Sequence, residues 1–418
     1  MKVVIVGAGI GGLGAAVALN RAGHDVEVYE SSAFLNEVGA AIHLAPNATR
    51  VLRSWDCDFK ELSPVPCEAI NVYSADFKLF LAPVTLKEGQ ELVGTKDPWL
   101  LTHRVDLHNA LRSLAERGFQ GRSVTIHLNS KVESVDAETG EVHLQDGRVV
   151  RGDLVIGADG LHSRTVQAVV SNGRDKVSTG QKIFRFLIPM EKVEKNPVAK
   201  RLVDKIGLSS TTAIGTPEQR MIIYPCRSGT ILNCGVIRAA SEADDLAARE
   251  SSWLNAGSVD DLVAGLSDFD DGVRGFCKLA EDLKLWSLVT RDPPPTFVKG
   301  KLALMGDAAH PMLPHQGQGG AQALEDAAAL GALFASDTAP EKVGELLEIY
   351  NEARYRHTVT ICMFSRVALE RREEVLDELR RFVPDATIAG NTPYGTWDSY
   401  PSREVERLLA LRRTEKAA

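Results

Sequence analysis

The 418-residue sequence predicts an α/β protein with a largely parallel sheet, an inserted mixed or antiparallel sheet domain and a C-terminal helical segment. Three observations indicate this class. The chain opens with a strand, a glycine-rich turn, a helix and a second strand. After residue 177 the pattern changes to short alternating apolar runs, and after residue 341 it becomes helical and strongly charged. The predicted domains are 1–70, 98–176 and 286–340 for the first, 71–97 and 177–285 for the inserted one, and 341–418 for the helical segment.

The elements can be read in order from the pattern of apolar residues. Lys2–Val6 is a short β-branched run typical of a buried parallel strand, and Asp25–Tyr29 alternates like a second strand. Between them, the Ala/Leu-rich segment from Ile10 to Arg21 is helical and ends before Gly23. The pattern further predicts an amphipathic helix over 103–117, apolar strands at 154–158 and 302–305, strands and loops over 71–96, and a helix that begins near residue 322.

Composition and charge argue against several classes of function. The net charge is −8, which provides no basic field for nucleic acid or anionic lipid. No stretch reaches the ~20 apolar residues of a membrane span. The six cysteines are scattered without a CxxC pair, and His310 and His315 lack a third ligand at a suitable spacing. We therefore expect a cytoplasmic monomer or homodimer with no metal, whose partner is a small molecule and neither nucleic acid nor membrane.

A glycine-rich turn follows the first strand. Residues 7–12 read GAGIGG, a GxGxxG motif between a predicted strand and a predicted helix. Gly7 permits the tight turn, Gly9 lets a pyrophosphate approach the backbone, and Gly12 lets helix and strand pack closely. The helix N-terminus then offers N–H groups to the phosphates. Glu30, at the end of the second strand, can accept hydrogen bonds from ribose hydroxyls, which favours the ADP part of FAD or NAD over NADP.

Two further motifs lie far along the chain. Residues 153–164 read DLVIGADGLHSR, and residues 305–326 read MGDAAHPMLPHQGQGGAQALED. With the glycine turn and residues 102–107 (THRVDL), they resemble the single-component (group A) FAD-dependent aromatic monooxygenases of the para-hydroxybenzoate hydroxylase fold, closest to salicylate hydroxylase-like fungal and bacterial enzymes. The resemblance implies a Rossmann-type domain that binds FAD, with NADPH or NADH as co-substrate and O2 as oxidant. The chain departs from the family at Val166, where an arginine is usual.

The resemblance also implies which residues contact FAD. Asp307 would bind the ribityl chain, Arg104 would lie along the flavin, and the glycines before residue 322 would turn N–H groups toward the flavin edge that becomes negative on reduction. Simpler roles stay open: a helix cap for Asp307, a turn cap for Asp159 and a surface salt bridge for Arg104. The predicted FAD-binding residues are Gly7, Gly9, Ile10, Gly11, Gly12, Glu30, Ser31, Gly39, Ala41, Arg104, Asp159, Asp307, Gly317, Gly319 and Gly320.

Four residues are candidates for the chemistry itself. A flavin hydroxylase reduces FAD with NAD(P)H, captures O2 as a C4a-hydroperoxide and delivers oxygen to an electron-rich ring. Arg185 can stabilise a phenolate or bind a carboxylate, Tyr224 can hydrogen-bond a substrate oxygen, and His43 can act as a base. Pro314 resembles the family proline whose carbonyl approaches the reacting hydroxyl. Each also has a plain structural interpretation, as a surface arginine, a core tyrosine, a capped loop histidine and a loop proline.

Other functions of the same fold remain as alternatives. A dehydrogenase, an oxidase or a halogenase would also bind FAD, although the five tryptophans never form the WxWxIP motif of halogenases. A protein that keeps FAD only for folding is a different class, and the charged segment 341–381 would then serve as a docking or dimer face. The substrate itself is not readable from the sequence beyond a phenolic or aromatic acid.

Overall fold

The computed structural model describes residues 1–33, 40–170, 177–216, 218–240, 255–388 and 395–417. Its strands are β1 (Lys2–Val6), β2 (Asp25–Tyr29), β3 (Ala41–Leu44), β4 (Val65–Pro66), β5 (Ala69–Tyr73), β6 (Leu79–Thr85), β7 (Leu100–His103), β8 (Thr125–His127), β9 (Val132–Asp136), β10 (Glu141–Leu144), β11 (Val149–Arg151), β12 (Leu154–Gly157), β13 (Val177–Pro189), β14 (Ser210–Gly215), β15 (Arg220–Cys226), β16 (Ile231–Ala239), β17 (Asn255–Ala256), β18 (Glu281–Thr290), β19 (Val298–Lys299) and β20 (Leu302–Leu304).

The helices alternate with these strands. They are α1 (Ile10–Arg21), α2 (Pro46–Ser54), α3 (Leu86–Val93), α4 (Arg104–Arg117), α5 (Val166–Val169), α6 (Met190–Glu194), α7 (Pro197–Ile206), α8 (Val259–Ala264), α9 (Asp271–Cys277), α10 (Gly319–Leu333), α11 (Val343–Phe364), α12 (Leu376–Leu379) and α13 (Pro401–Ala417). Short 3-10 helices cover Phe59–Leu62, Gly306–Ala308, Pro314–Gln316, Pro340–Lys342, Leu369–Val375 and Gly395–Asp398. No helix in these ranges combines the length and apolar character needed to cross a membrane.

The first sheet has six strands in the order β19-β20-β12-β1-β2-β8, all parallel except β19. Its central strand is apolar on both faces because both faces are covered. Val3 and Ile5 pack in the core formed with α1, α4 and α10. Val4 and Val6 pack against the antiparallel strands β9, β10 and β11 on the other side. The predicted Rossmann-type α/β fold is thereby confirmed.

The second large sheet has eight strands in the order β17-β18-β13-β16-β15-β14-β5-β6. It is mixed, because β5 pairs parallel with β14 while the other neighbours are antiparallel. One face packs against α7, α8 and α9 around Phe184, Phe186 and Phe276. Strands from 71–97 and 177–285 thus share one sheet, and the domain boundaries themselves remain predictions.

Two local expectations from the sequence were wrong. The segment 71–96 contains helix α3 in addition to strands, because the Thr85 side chain accepts a hydrogen bond from the Glu88 N–H and starts the helix. The helix expected near residue 322 begins earlier, at Gly319. Gly320 is inside its first turn, where a Cβ would lie 2.6 Å from the Ile42 side chain. The glycine there permits close packing of α10 against β3.

The charged C-terminal segment belongs to the core of the first domain. Helix α11 buries Leu347, Tyr350 and Met363, and α13 buries Leu408, in the same apolar cluster as α1 and β1. The many charged residues of this C-terminal segment made its apolar face difficult to recognise from the sequence. The apolar side chains of α11 are thus covered within this chain, and the non-catalytic alternative would have to use the charged surface of segment 341–381 as its docking face.

Candidate active site

The glycine turn has the geometry that a bound pyrophosphate requires. Gly7 has φ +98°, and a Cβ there would lie 2.6 Å from the Ala158 carbonyl oxygen. A Cβ on Gly12 would lie 1.9 Å from the Gly7 carbonyl oxygen, whereas one on Gly9 would meet nothing within 4 Å. Gly9 is the N-cap of α1 and makes no side-chain cap hydrogen bond, so the first N–H groups of the helix are left for a ligand to accept from, and the space beside Gly9 is open.

Glu30 lies beside this turn. One carboxylate oxygen accepts a hydrogen bond from the Ala8 N–H at 2.8 Å, and the other accepts from the Ser32 N–H and the Ser31 hydroxyl. These donors hold the carboxylate at the carboxyl end of β2, next to α1. That is where a ribose would lie when its pyrophosphate sits on the helix N-terminus. Predicted residue Glu30 therefore contacts both the turn, through Ala8, and the other predicted residue, Ser31.

The distant Asp307 segment comes to the same edge of the sheet. β20 is two strands from β1, and a Cβ on Gly11 would lie 3.4 Å from the Met305 side chain. Asp307 follows in a 3-10 turn, with its side chain accessible while protein atoms surround it on most sides. This partial desolvation raises the pKa of Asp307, although nearby His310, Arg104 and Arg291 oppose the shift. A carboxylate there can accept hydrogen bonds from ribityl hydroxyls.

A buried polar network supports the Asp307 turn, and none of its links was foreseen from the sequence. Asp326 accepts hydrogen bonds from the Gly306 N–H at 2.9 Å and from His310 Nε2 at 2.6 Å. Arg354 donates from Nε to Asp326 at 2.8 Å and from Nη1 to Glu325 at 2.9 Å. Burial alone would raise the pKa of Asp326, but His310 and Arg354 outweigh it and hold the pKa at about 2. The only local hint was the acidic pair in an otherwise apolar helix.

The same network reaches two other parts of the chain. Glu325 accepts hydrogen bonds from the Asn47 amide at 2.7 Å and from the Ser399 hydroxyl at 2.7 Å. Arg50, on α2, donates to the backbone carbonyls of Ser399 and Trp397 and pairs with Asp97. The C-terminal residues are thus connected through partly buried hydrogen bonds to α10 and α2.

Helix N-termini converge near Asp307. Arg104 is the first residue of α4, and its backbone N–H donates to the Ala40 carbonyl at 2.9 Å. Its guanidinium is exposed and close enough to influence the titration of both Asp307 and Arg185. Gly317 has φ +61° and ends the 3-10 turn before α10, and no side chain caps α10. Gly319 and Gly320 therefore present N–H groups at this N-terminus.

Asp159 takes part in a turn beside the glycine motif. Its carboxylate accepts hydrogen bonds from the Arg164 N–H, the Thr165 N–H and the Thr165 hydroxyl. The turn-cap role left open from the sequence is therefore present in the structure. Gly7 packs against Asp159, since a Cβ on Gly7 would lie 3.0 Å from its Cα. Asp159 thus forms part of the wall beside the glycine turn.

Strand β3 connects the FAD-binding edge to the second sheet through Ala41. The Tyr224 hydroxyl donates to the Ala41 carbonyl at 2.8 Å, and the Asn233 side chain accepts from the Ala41 N–H at 2.9 Å. Tyr224 and Asn233 are cross-strand partners on β15 and β16. The sequence pointed to Tyr224 but not to Asn233. Gly39, also predicted at the flavin, lies outside the described residues.

His43 lies behind this connection. Its ring packs edge-on against Tyr224 with centroids 4.5 Å apart, and its Nε2 is 3.2 Å from the Thr211 hydroxyl. Desolvation by burial lowers the pKa of His43 to about 4, so the ring is neutral near neutral pH. Burial also raises the pKa of Tyr224 well above its ordinary value. Both side chains are therefore neutral and already hydrogen-bonded to protein atoms.

A cavity of about 490 Å³ opens where α4, the Ala40 segment and the second sheet meet. Arg185 is the one residue of the four chemical candidates that lines it. The Arg185 guanidinium lies 4.8 Å from the centre of the Trp286 ring, and burial together with Arg104 lowers its pKa. The remaining lining residues are Ala40, His103, Val105, Phe186, Leu187, Arg227, Asn233, Asp282 and Lys284.

The histidine-rich loop after Asp307 has structural partners. Pro314 begins a 3-10 turn, and His315 Nε2 is 3.2 Å from the Gln181 side-chain oxygen. His310 contacts Asp326, as described above. In the part of the chain that the structure describes, no group of three or more potential ligands comes together to hold a metal. Pro314 is not among the residues that line the cavity.

These features define a flavoprotein, and comparisons with known proteins identify its family. The family described as FAD binding domain matches residues 281–365, and NAD(P)-binding Rossmann-like domain matches residues 5–36. FAD-dependent monooxygenase cfoG of Aspergillus candidus is 35% identical over 90% of this chain and 87% of its own length. Hispidin-3-hydroxylase of Neonothopanus nambi is 33% identical over 85% of each chain. This chain belongs to the single-component FAD-dependent aromatic monooxygenases.

Solved structures with the same fold agree. The crystal structure of FqzB has a TM-score of 0.79 at 23% identity and covers 100% of this chain and 95% of that one. A salicylate hydroxylase substrate complex has a TM-score of 0.74 at 19% identity, with 97% of each chain covered. The curated relatives named above are monooxygenases and hydroxylases, which does not support a dehydrogenase, an oxidase or a halogenase.

The residues present fit FAD as the cofactor. The uncapped N-terminus of α1 with its open approach at Gly9 suits the pyrophosphate, Glu30 suits the ribose, and the accessible carboxylate of Asp307 suits the ribityl chain. The uncapped N-terminus of α10 suits the flavin edge that becomes negative on reduction. When bound, FAD supplies electron transfer from NAD(P)H and the activation of O2.

Proposed function

We propose that this enzyme hydroxylates a small aromatic compound bound in the cavity beside Arg185, and that the compound is a phenol or an aromatic acid. The observation that carries the proposal is the position of Arg104. Its chain neighbours His103 and Val105 line the cavity, and its backbone N–H donates to the carbonyl of Ala40, which also lines it. Because Arg104 is a predicted FAD contact, the cavity adjoins the predicted flavin site, as transfer of an oxygen atom to a substrate requires.

The cavity has the size and lining of a small-molecule site. Its volume of about 490 Å³ lies within the usual range of roughly 300–1,000 Å³ for ligand pockets. Trp286 and Leu187 provide apolar surface for a ring, and Asn233 provides a polar group. Arg185 is a fixed cation that can stabilise a phenolate, which raises the electron density of the ring that is attacked. Two relatives, hispidin-3-hydroxylase and 3-hydroxybenzoate 6-hydroxylase 1, have names that fit this class of substrate.

The other three candidates take supporting roles in this proposal. Tyr224 orients the Ala41 segment by donating to its carbonyl, and His43 fixes the Tyr224 ring by packing against it. Pro314 shapes the loop between Asp307 and α10. The predicted FAD contacts, from the glycine turn to Gly320, bind and orient the cofactor.

The proposal is tested by substrate-stimulated oxidation of NAD(P)H. The FAD-loaded enzyme is mixed with NAD(P)H and a panel of phenols and aromatic acids. Flavin reduction is followed by stopped flow, and the masses of the products are measured by mass spectrometry. We expect faster reduction with a subset of the panel and products heavier by one oxygen atom. Arg185→Ala is expected to raise KM or lower kcat for these compounds. Reduction that no aromatic compound accelerates, with no oxygenated product, would rule out the proposal.

The cellular setting and assembly complete the proposal. Cys57, Cys67, Cys226, Cys234, Cys277 and Cys362 are all buried free thiols, which suits a reducing compartment. We therefore propose that the enzyme is cytoplasmic. We also propose that it is a monomer or a homodimer. Light scattering on the purified holoenzyme determines the assembly, and fractionation of the cells that make it determines the compartment.

A further inference from the structure

The cavity carries more positive than negative charge. Four of its lining residues bear charged side chains: Arg185, Arg227, Lys284 and Asp282. Arg227 forms a bidentate ion pair with Asp106, in which each hydrogen bond is 3.0 Å long, and this pair neutralises its charge. No carboxylate in the described ranges lies within ion-pair distance of the other two cations, and Asp282 is exposed. Among the residues that the structure describes, Arg185 and Lys284 thus face the cavity without a protein counter-ion.

These two cations are neighbours. Arg185 on β13 and Lys284 on β18 are directly opposed in the antiparallel register, so their side chains leave the same face of the sheet. Opposed residues in such pairs have Cβ atoms about 4.5–5.5 Å apart, and like charges placed there repel each other. Two cations that repel each other at the wall of a cavity are stabilised when an anion binds between them.

We infer that the substrate is an aromatic anion, and that Lys284 and Arg185 together bind its negatively charged group while Trp286 contacts its ring. This inference rests on the proposed function and narrows it. A phenol that is neutral at neutral pH uses only one of the two cations. A carboxylate, or an acidic enol that is ionised at neutral pH, has two oxygens or a delocalised charge for both. Lys284 is then a specificity-determining residue, which the sequence pattern did not single out.

The test compares matched pairs of charged and neutral ligands on the FAD-loaded enzyme. Hydroxybenzoates are paired with their primary amides, and 4-hydroxycoumarin with its O-methyl ether, so that the two sources of negative charge are distinguished. Dissociation constants are measured by calorimetry and by the change in flavin absorbance. We expect wild-type protein to bind at least one acid or enol roughly tenfold or more tightly than its neutral partner. Lys284→Met is expected to abolish that preference, and Lys284→Arg to retain most of it.

Lys299 provides the matched control. It is exposed on β19 and lies outside the cavity, so Lys299→Met makes the same charge change without touching the site. Equal binding of charged and neutral partners by wild type, or no binding of any charged ligand, overturns the inference. A Lys284→Met variant that loses affinity equally for the charged and the neutral member of a ligand pair also overturns the inference. If charged ligands are preferred but no compound is oxygenated, the proposed function fails while the anion site stands. If only neutral phenols are oxygenated, the proposed function stands while the anion site fails.

Discussion

Replacement of Arg354 by methionine tests the buried network beneath Asp307. The Arg354 side chain is 2% exposed, and the carboxylates of its partners Glu325 and Asp326 are 0% exposed. The variant keeps most of the side-chain volume but leaves two buried carboxylates without their shared cation. Removal of one partner from a buried ion pair costs about 3–5 kcal/mol, because the remaining charge stays desolvated. We expect the free energy of unfolding to fall by that amount.

The network also predicts an effect on the cofactor. Asp326 holds the Gly306 N–H immediately before Asp307, so a displaced Asp326 carboxylate changes the position of the turn. The FAD dissociation constant, measured by fluorescence titration of apoprotein, is expected to rise. Glu325→Gln in the Arg354→Met background is expected to recover part of the stability, because it removes one uncompensated charge. The recovery is measurable even if the single variant is only marginally folded.

Arg356 supplies a matched control on the same helix. It pairs with Asp385 at the surface, where the two side chains are 59% and 70% exposed. Exposed pairs contribute about 0–1 kcal/mol, so Arg356→Met should change the urea midpoint little. If Arg354→Met costs no more than Arg356→Met, and FAD affinity is unchanged, then the buried network neither stabilises the fold nor positions the turn.

Three further predictions follow from single sites. Gly12→Ala should destabilise the apoprotein, because its Cβ would lie 1.9 Å from the Gly7 carbonyl oxygen. Gly9→Ala, whose Cβ would meet nothing within 4 Å, should leave the melting temperature of the apoprotein unchanged and raise the FAD dissociation constant. Equal melting temperatures for the two variants would contradict this prediction. His43 has its pKa lowered to about 4, so the unfolded chain binds a proton first, and stability should be lost as pH falls from 6.5 toward 4. His43→Gln should flatten that loss, which urea unfolding at several pH values measures. Tyr224→Phe removes the donor to the buried Ala41 carbonyl and should cost about 1–3 kcal/mol by the same assay, and an unchanged midpoint would show that the bond does not stabilise the segment.

Much of the first domain could be predicted because its signals are local. The strand, turn and helix over residues 2–21 appear within the bounds expected, since glycine spacing and apolar periodicity both act over a few residues. Helix α3 was missed although residues 85–88 carry a threonine and a glutamate at capping-box spacing. The start of α10 was placed late because glycines lower helix propensity, while packing against Ile42 requires Gly320.

The candidate site was predictable in part for the same reason. Asp307, Glu30 and the glycine turn follow strands whose carboxyl ends share an edge of the sheet, so the sequence predicted a candidate FAD site there, and the resemblance of its motifs to a known family indicated the class of enzyme. Only the tertiary structure decided that Arg354 neutralises Asp326, that Asn233 holds Ala41, and that Lys284 stands beside Arg185. The members of each pair are far apart in the chain. No local pattern records which side chains meet when two sheets and a C-terminal helix pack together, because that depends on strand register and packing across the whole fold.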